Sequence, residues 1–209
     1  INILHNLLIC QQYLKKQKEF LETIDKMRTF NTKSEDVKVE IFYLSYSLEL
    51  TLYTDIGEFD KGIKKIQDIE KRLDVLGEKF LTPQALSLYF IIVTIFFGAE
   101  KYELALRWLN KILNNKDNIG LRQDIYSFSA ILNLVIHFEL GNYDLLEYIV
   151  KSTYRFLHKR GRLYKFETCV LNFIRKKFPK INNNNELLEA FKELKTELEE
   201  IIKDPFEKQ

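Results

Sequence analysis

Apolar residues recur three and four positions apart along almost the whole chain, and the alternation of a half-buried strand appears nowhere. The pattern predicts ten helices. The first covers 1–17 with Ile3, Leu4, Leu7, Leu8 and Leu14. The second turns Phe20, Leu21, Ile24 and Met27 to one side. The third starts behind Ser34, an N-cap followed by acidic residues, and runs to Ile56 through Phe42, Tyr43, Tyr46 and Tyr53. Gly57 stops it. The fourth turns Ile63, Ile66, Ile69 and Leu73 inward and ends at Gly77. Thr82 caps the fifth, and Pro83 takes its first position, where no N–H is needed. The stretch 86–113 is the centre of the pattern. Its first helix, SLYFIIVTIFF, is apolar all round and needs cover on every side. Its second sets Leu104, Ala105, Trp108, Leu109 and Ile112 on one stripe. A polar loop over 114–120 precedes a seventh helix over 122–140. Gly141 separates that from an eighth, ending near Gly161. A ninth covers 163–178 and a linker 179–185. In the tenth, over 186–203, Leu187, Phe191, Leu194, Leu198 and Ile201 alternate four and three apart, like one side of a coiled coil.

Three segments superpose at their turns: DIGEFDKGIKKIQDI, FFGAEKYELALRWLNKI and FELGNYDLLEYIVKST. An aromatic opens the second helix of each (Phe59, Tyr102, Tyr143). Gly62, Ala105 or Leu146 follows three residues later, and Ile66, Leu109 or Val150 four further on. A fainter copy opens at Phe20, so the aromatics lie 39, 43 and 41 residues apart, a period typical of stacked helix pairs. The small residues let the two helices of a pair approach, and the aromatic plugs the space before the next pair. Each pair leaves a face that only a neighbour can cover.

These turns resemble the tetratricopeptide repeat. Gly141-Asn142-Tyr143-Asp144 and Gly57-Glu58-Phe59-Asp60 match its turn, and Tyr102 with Ala105 matches its aromatic and small residue. Tyr46, Tyr53, Tyr89 and Phe96 fall where that family carries large aromatics on the first helix. The chain differs from it in its longer period, in Leu146 and in lacking a closing proline. The resemblance implies an all-α superhelix, or α-solenoid, of about five antiparallel hairpins in one domain over 1–209. The repeats are clearest over 39–160, with capping helices over 161–209. It also implies a concave groove lined by the first helices, here by Ser47, Thr51, Thr54, Ser87, Phe90, Thr94, Phe97 and Phe128, with Ile131, Val135 and Phe138 continuing the last. Such a groove is polar at one end and greasy at the other, and suits a protein or peptide ligand. Coverage by flanking helices would instead make the seventh helix's part of it plain core. The Lys and Asn pattern with which some family members hold a terminal carboxylate is absent from these positions.

Charge adds one feature. The net charge is only +2, but Lys151, Arg155, His158 and Arg162 form a stripe at steps of four, three and four. Glu167 is the only acid between Lys151 and Lys180. Nucleic acid or another anion is the alternative ligand this predicts. Its competitor is internal neutralisation by the acidic tenth helix. Cys10 and Cys169 lie far apart in apolar runs, as buried small hydrophobes in a reducing, cytoplasmic setting would. The longest apolar run is too short for a membrane span. The chain opens on Ile rather than Met, as the C-terminal part of a longer protein would. No metal spacing joins His5, His137 and His158, and no phosphate loop or nucleophile elbow occurs, so neither cofactor nor catalysis is expected. Glu49 and Glu139 sit on largely apolar helices, where pairing with a neighbouring cation accounts for them.

Overall fold

The computed structural model describes residues 1–76, 82–115, 122–159 and 164–207. Among these are ten α-helices and no strand: α1 (Asn2–Tyr13), α2 (Gln17–Arg28), α3 (Glu35–Asp55), α4 (Phe59–Leu76), α5 (Thr82–Gly98), α6 (Tyr102–Leu113), α7 (Gln123–Glu139), α8 (Tyr143–Lys159), α9 (Lys165–Asn172) and α10 (Asn184–Ile201). Gly77, Gly120, Gly161 and Arg162 lie outside the described residues, as does the side chain of Thr82. The chain forms two units, Ile1–Tyr126 and Ser127–Gln209.

One turn joins α1 to α2, α3 to α4, α5 to α6 and α7 to α8. A single residue in each takes a left-handed φ: Lys15 (56°), Gly57 (74°), Glu100 (57°) and Gly141 (70°), at intervals of 42, 43 and 41 residues. The N–H after it reaches back over the helix end to a free carbonyl. Lys16 donates to Gln11 (2.9 Å), Glu58 to Tyr53 (2.9 Å), Lys101 to Phe96 (2.8 Å) and Asn142 to His137 (3.0 Å). The first copy therefore opens at Lys15, and Phe20 is not its turn aromatic. Phe20 stands where Gly62, Ala105 and Leu146 stand in the other pairs. From that position each second helix buries one triad at i, i+4 and i+7: Phe20, Ile24 and Met27; Gly62, Ile66 and Ile69; Ala105, Leu109 and Ile112; Leu146, Val150 and Thr153.

In the first unit α2 packs on α3 and α4 on α5. The α2–α3 joint is charged. Arg28 Nη2 lies 2.5 Å from Glu49 Oε2, and Arg28 also donates to Ser45 Oγ and to its carbonyl, both at 3.3 Å. Its guanidinium lies 4.1 Å from the Tyr46 ring centre. Lys65 Nζ of α4 is 3.3 Å from Glu49 Oε1, to which Tyr53 donates its hydroxyl at 2.8 Å. Glu49 is thus paired, as its apolar setting requires; Glu139 is exposed.

The α4–α5 joint is bare instead. A Cβ at Gly62 would stand 2.6 Å from Ile95 Cδ1, and one at Gly98 would overlap the Phe59 ring. Phe59 does plug the space before the next pair. The gap at Gly62, expected to bring α4 against α3, is filled from α5. Leu104, placed on the buried stripe of α6 by its spacing, is 39% exposed because α6 buries the narrower set Ala105, Trp108, Leu109 and Ile112.

In the second unit Ile131, Leu134, Leu146, Val150, Leu157, Leu171, Phe173, Ile174 and Ala190 share one core. The ninth helix stays regular only to Asn172. It continues as a π-helical turn, Phe173–Lys177, and then a 3-10 turn, Phe178–Lys180, which contains Pro179, a residue with no N–H to extend the ladder. α10 starts at Asn184, before the expected 186, because Asn183 accepts the Glu186 N–H (2.9 Å) while the Glu186 carboxylate accepts that of Asn182 (2.9 Å). α10 packs on α9. Beyond its end, the Glu207 carboxylate accepts the Lys165 N–H at 3.0 Å, capping α9.

Candidate functional site

The groove column lies ten, six and three residues before each turn, beside the buried face of each first helix. On α3 it holds Ser47, Thr51 and Thr54, and on α5 Phe90, Thr94 and Phe97, with Ser87 one helical turn earlier. All are half-buried except Ser47, which is buried and has no hydrogen-bond partner for its hydroxyl among the described residues. The other hydroxyls turn back on their own helices. Thr51 donates to Ser47 O (2.8 Å), Thr54 to Leu50 O (3.0 Å), Ser87 to Pro83 O (2.9 Å) and Thr94 to Ile91 O (2.7 Å). The polar end therefore presents methyl groups and hydroxyl lone pairs rather than free donors. Ser87 Oγ accepts from Arg122, a residue the sequence pattern did not single out. Arg122 also grips Asp124 with both arms, at 3.0 and 2.8 Å, and holds its carboxyl below the usual carboxylate range. Phe97 meets the turn residue Tyr102 edge-on, 5.6 Å between ring centres.

The greasy end is not a groove. Ile131 is buried, and Phe138 packs against Phe178 (4.7 Å) and Phe191 (5.8 Å). The chain beyond α9 covers this part of α7 and makes it core. Phe128, 41% exposed, stacks on Phe166 at 5.7 Å.

The basic run divides in two. Lys177 pairs with Glu193, and Lys165 with Asp204 at 2.5 Å. Lys176, Lys177 and Lys180 share a groove of about 790 Å³ with Glu186, Glu189, Glu193 and Glu197 of α10. Internal neutralisation holds for that half. The other half lies on α8 and on the π-helical turn packed against it. Lys151 and Arg155 line a groove of about 310 Å³ with Arg175 of the π-helical turn, beside Tyr154, Thr168 and Asn172. Among the described residues no carboxylate lines it. Lys151 reaches Glu147 at 2.6 Å along its own helix and holds that carboxyl below the usual range, while Arg155 and Arg175 meet no carboxylate among the described residues. His158 lies aside, over Tyr154 at 5.7 Å. Arg162 is outside the described residues. Arg175 belongs to the wider basic run up to Lys180, and packing of the π-helical turn against α8 brings it beside Lys151 and Arg155.

His137 is half-buried and its Nδ1 lies 3.1 Å from Asn142 Nδ2, while burial pushes its pKa down. It serves the α7–α8 turn. Cys10 is exposed and Cys169 buried, both as free thiols, so only Cys169 is the buried small hydrophobe expected of each. Burial pushes the Cys169 thiol up to about 11. Among the described residues no group of three His, Cys, Asp or Glu is placed to hold a metal ion, and no helix is long and apolar enough to cross a membrane. No family model, curated protein or solved structure matches the chain.

Proposed function

We propose that the chain is a non-catalytic, cytoplasmic scaffold similar to tetratricopeptide-repeat proteins. Its helix pairs stack as an α-solenoid and hold a protein or peptide along the column of first helices. The observation that carries this reading is the recurrence of one turn geometry with one buried triad in four successive pairs. Equal turns and equal triads put corresponding residues of successive first helices on corresponding faces, which suits an extended or helical ligand. Thr51 and Thr94 are the central such pair. Selection of a displayed peptide library on the protein is expected to recover binders that are lost when Thr51→Arg and Thr94→Arg are combined. Recovery of none, or of binders indifferent to both changes, rules the reading out.

The groove of Lys151, Arg155 and Arg175 supports a second reading, binding of an anion such as a nucleic-acid phosphate. Its affinity for a single-stranded oligonucleotide is expected to fall steeply with salt and with Arg155→Glu and Arg175→Glu. Absent or salt-insensitive binding excludes it.

A further inference from the structure

The groove of Lys151, Arg155 and Arg175 is part of a larger hollow. Val150, Lys151 and Arg175 also line a second pocket, of about 590 Å³, so the two adjoin. The rest of the second pocket is mostly apolar. Leu146 and Val150 of α8 and Ile174 of the π-helical turn are buried along it, and Tyr143, Phe178 and Pro179 complete the walls. The Tyr143 and Phe178 rings meet at 5.2 Å between centres. Consecutive residues of the π-helical turn thus serve both hollows: Ile174 supplies apolar wall to the pocket, and Arg175 a cation to each. Such a turn is a rare backbone that occurs frequently at functional sites. Every one of these residues belongs to the second unit.

The two hollows divide one ligand's chemistry between them. A pocket of this size, apolar with a few polar groups at one side, is built for a small molecule. Tyr143 and Lys151 stand eight residues apart on α8, about 12 Å along its axis, the reach of a short extended hydrocarbon chain. Among the described residues lining either hollow the one carboxylate is Glu147, which Lys151 already engages at 2.6 Å. Three cations against one carboxylate leave a surplus of two positive charges. A phosphate monoester answers that surplus, with a charge of about −1.5 to −2 at neutral pH, where a nucleic-acid phosphodiester carries one. Guanidinium groups take phosphate oxygens in pairs, and Arg155 and Arg175 have no carboxylate to release first.

We propose that the joined hollows bind a small amphiphilic phosphate monoester. Arg155 and Arg175 hold its phosphate, and its hydrocarbon chain lies along α8 toward Tyr143 and Phe178. The proposal rests on the anion reading above and adds an apolar body to the anion.

The probes are methyl, butyl, hexyl and octyl phosphate, titrated into the intact chain by calorimetry below their micellar concentrations. Affinity is expected to rise about fourfold per buried methylene, and octanol to bind far more weakly than octyl phosphate. Arg175→Gln, at an exposed position, should weaken every phosphate about tenfold or more and keep the dependence on chain length. Tyr143→Ser, at a residue 52% exposed, should weaken octyl phosphate severalfold and leave methyl phosphate unchanged. Both variants are expected to keep the circular dichroism spectrum. Equal affinity for methyl and octyl phosphate overturns the proposal and leaves the anion reading standing. Binding of no alkyl phosphate overturns it as well, and the anion reading falls with it only if the oligonucleotide also fails to bind. Octyl phosphate binding that survives both substitutions together overturns it, as does binding only to vesicles of anionic lipid, the ligand then being a membrane surface. So does a dimer, seen by sedimentation, that Tyr143→Ser dissociates, since a second copy then fills the pocket.

Discussion

The joints α2–α3 and α4–α5 occupy the same place in successive helix pairs and are filled by opposite chemistry. At the first, Glu49 is 3% exposed and held by Arg28, Lys65 and Tyr53. At the second, the corresponding residue is Ile92, and the helices close over Gly62 and Gly98. The difference separates two things that a packed joint must do. The shared turn decides where two pairs meet, since Glu49 and Ile92 each stand eight residues before it. The side chains decide which helix is accepted. A buried ion pair contributes little net stability, because desolvation offsets most of the attraction, but a helix without its cation leaves a buried charge. The charged joint selects its neighbour by sign, and the bare joint selects by shape.

Breaking the charged joint gives the largest expected effect. Glu49→Ala leaves Arg28 without its carboxylate and is expected to lower stability by about 3–5 kcal/mol in urea titration. Arg28→Met with Glu49→Leu should restore most of that loss, giving the first joint the chemistry of the second. A mild Glu49→Ala would mean that packing alone holds both. At the bare joint, Gly98→Ala forces a methyl group against Phe59 and is expected to cost about 1–3 kcal/mol. Phe59→Leu in the same chain should recover part of the loss, seen as non-additivity in a double-mutant cycle, while Glu49→Ala should simply add. The turns common to both joints come next. Gly57→Ala places a Cβ on a left-handed residue and is expected to cost about 1 kcal/mol, whereas Glu100→Gly removes that strain and should not destabilise.

The smallest effect is the pH dependence that the charged joint contributes. Burial, and then Glu49, push the Tyr53 hydroxyl well above its ordinary value. The unfolded chain therefore releases this proton first. The contribution is fully present below about pH 10 and is lost as pH rises, reaching about 0.8 kcal/mol near pH 10.5. Urea midpoints across this range should fall less steeply in Tyr53→Phe.

Helix positions are legible in the sequence because apolar spacing and local caps determine them. Ser34 accepts the Val37 N–H as its position suggests, and Gly57 and Gly141 take the left-handed turns. The other two turns carry no such sign. Lys15 and Glu100 adopt a backbone that glycine ordinarily supplies, while nearby Gly98 serves the Phe59 ring instead. For that reason the first repeat reads three residues late, at Phe20. The candidate site was legible only as faces. Which hydroxyl protons are already spent, and that Phe178 and Phe191 close over Phe138, depend on contacts between segments distant in sequence. The division of the basic run likewise depends on α10 packing back on α9, which no local spacing encodes.

The Phe59–Gly98 contact also constrains how the chain can change over generations. The ring and the bare backbone beneath it belong to different helix pairs, yet neither position can vary alone without cost. A lineage acquiring a side chain at 98 keeps its fold most readily if the ring at 59 has shrunk beforehand. Substitutions at these two sites therefore have a preferred historical order, with the smaller ring arriving first.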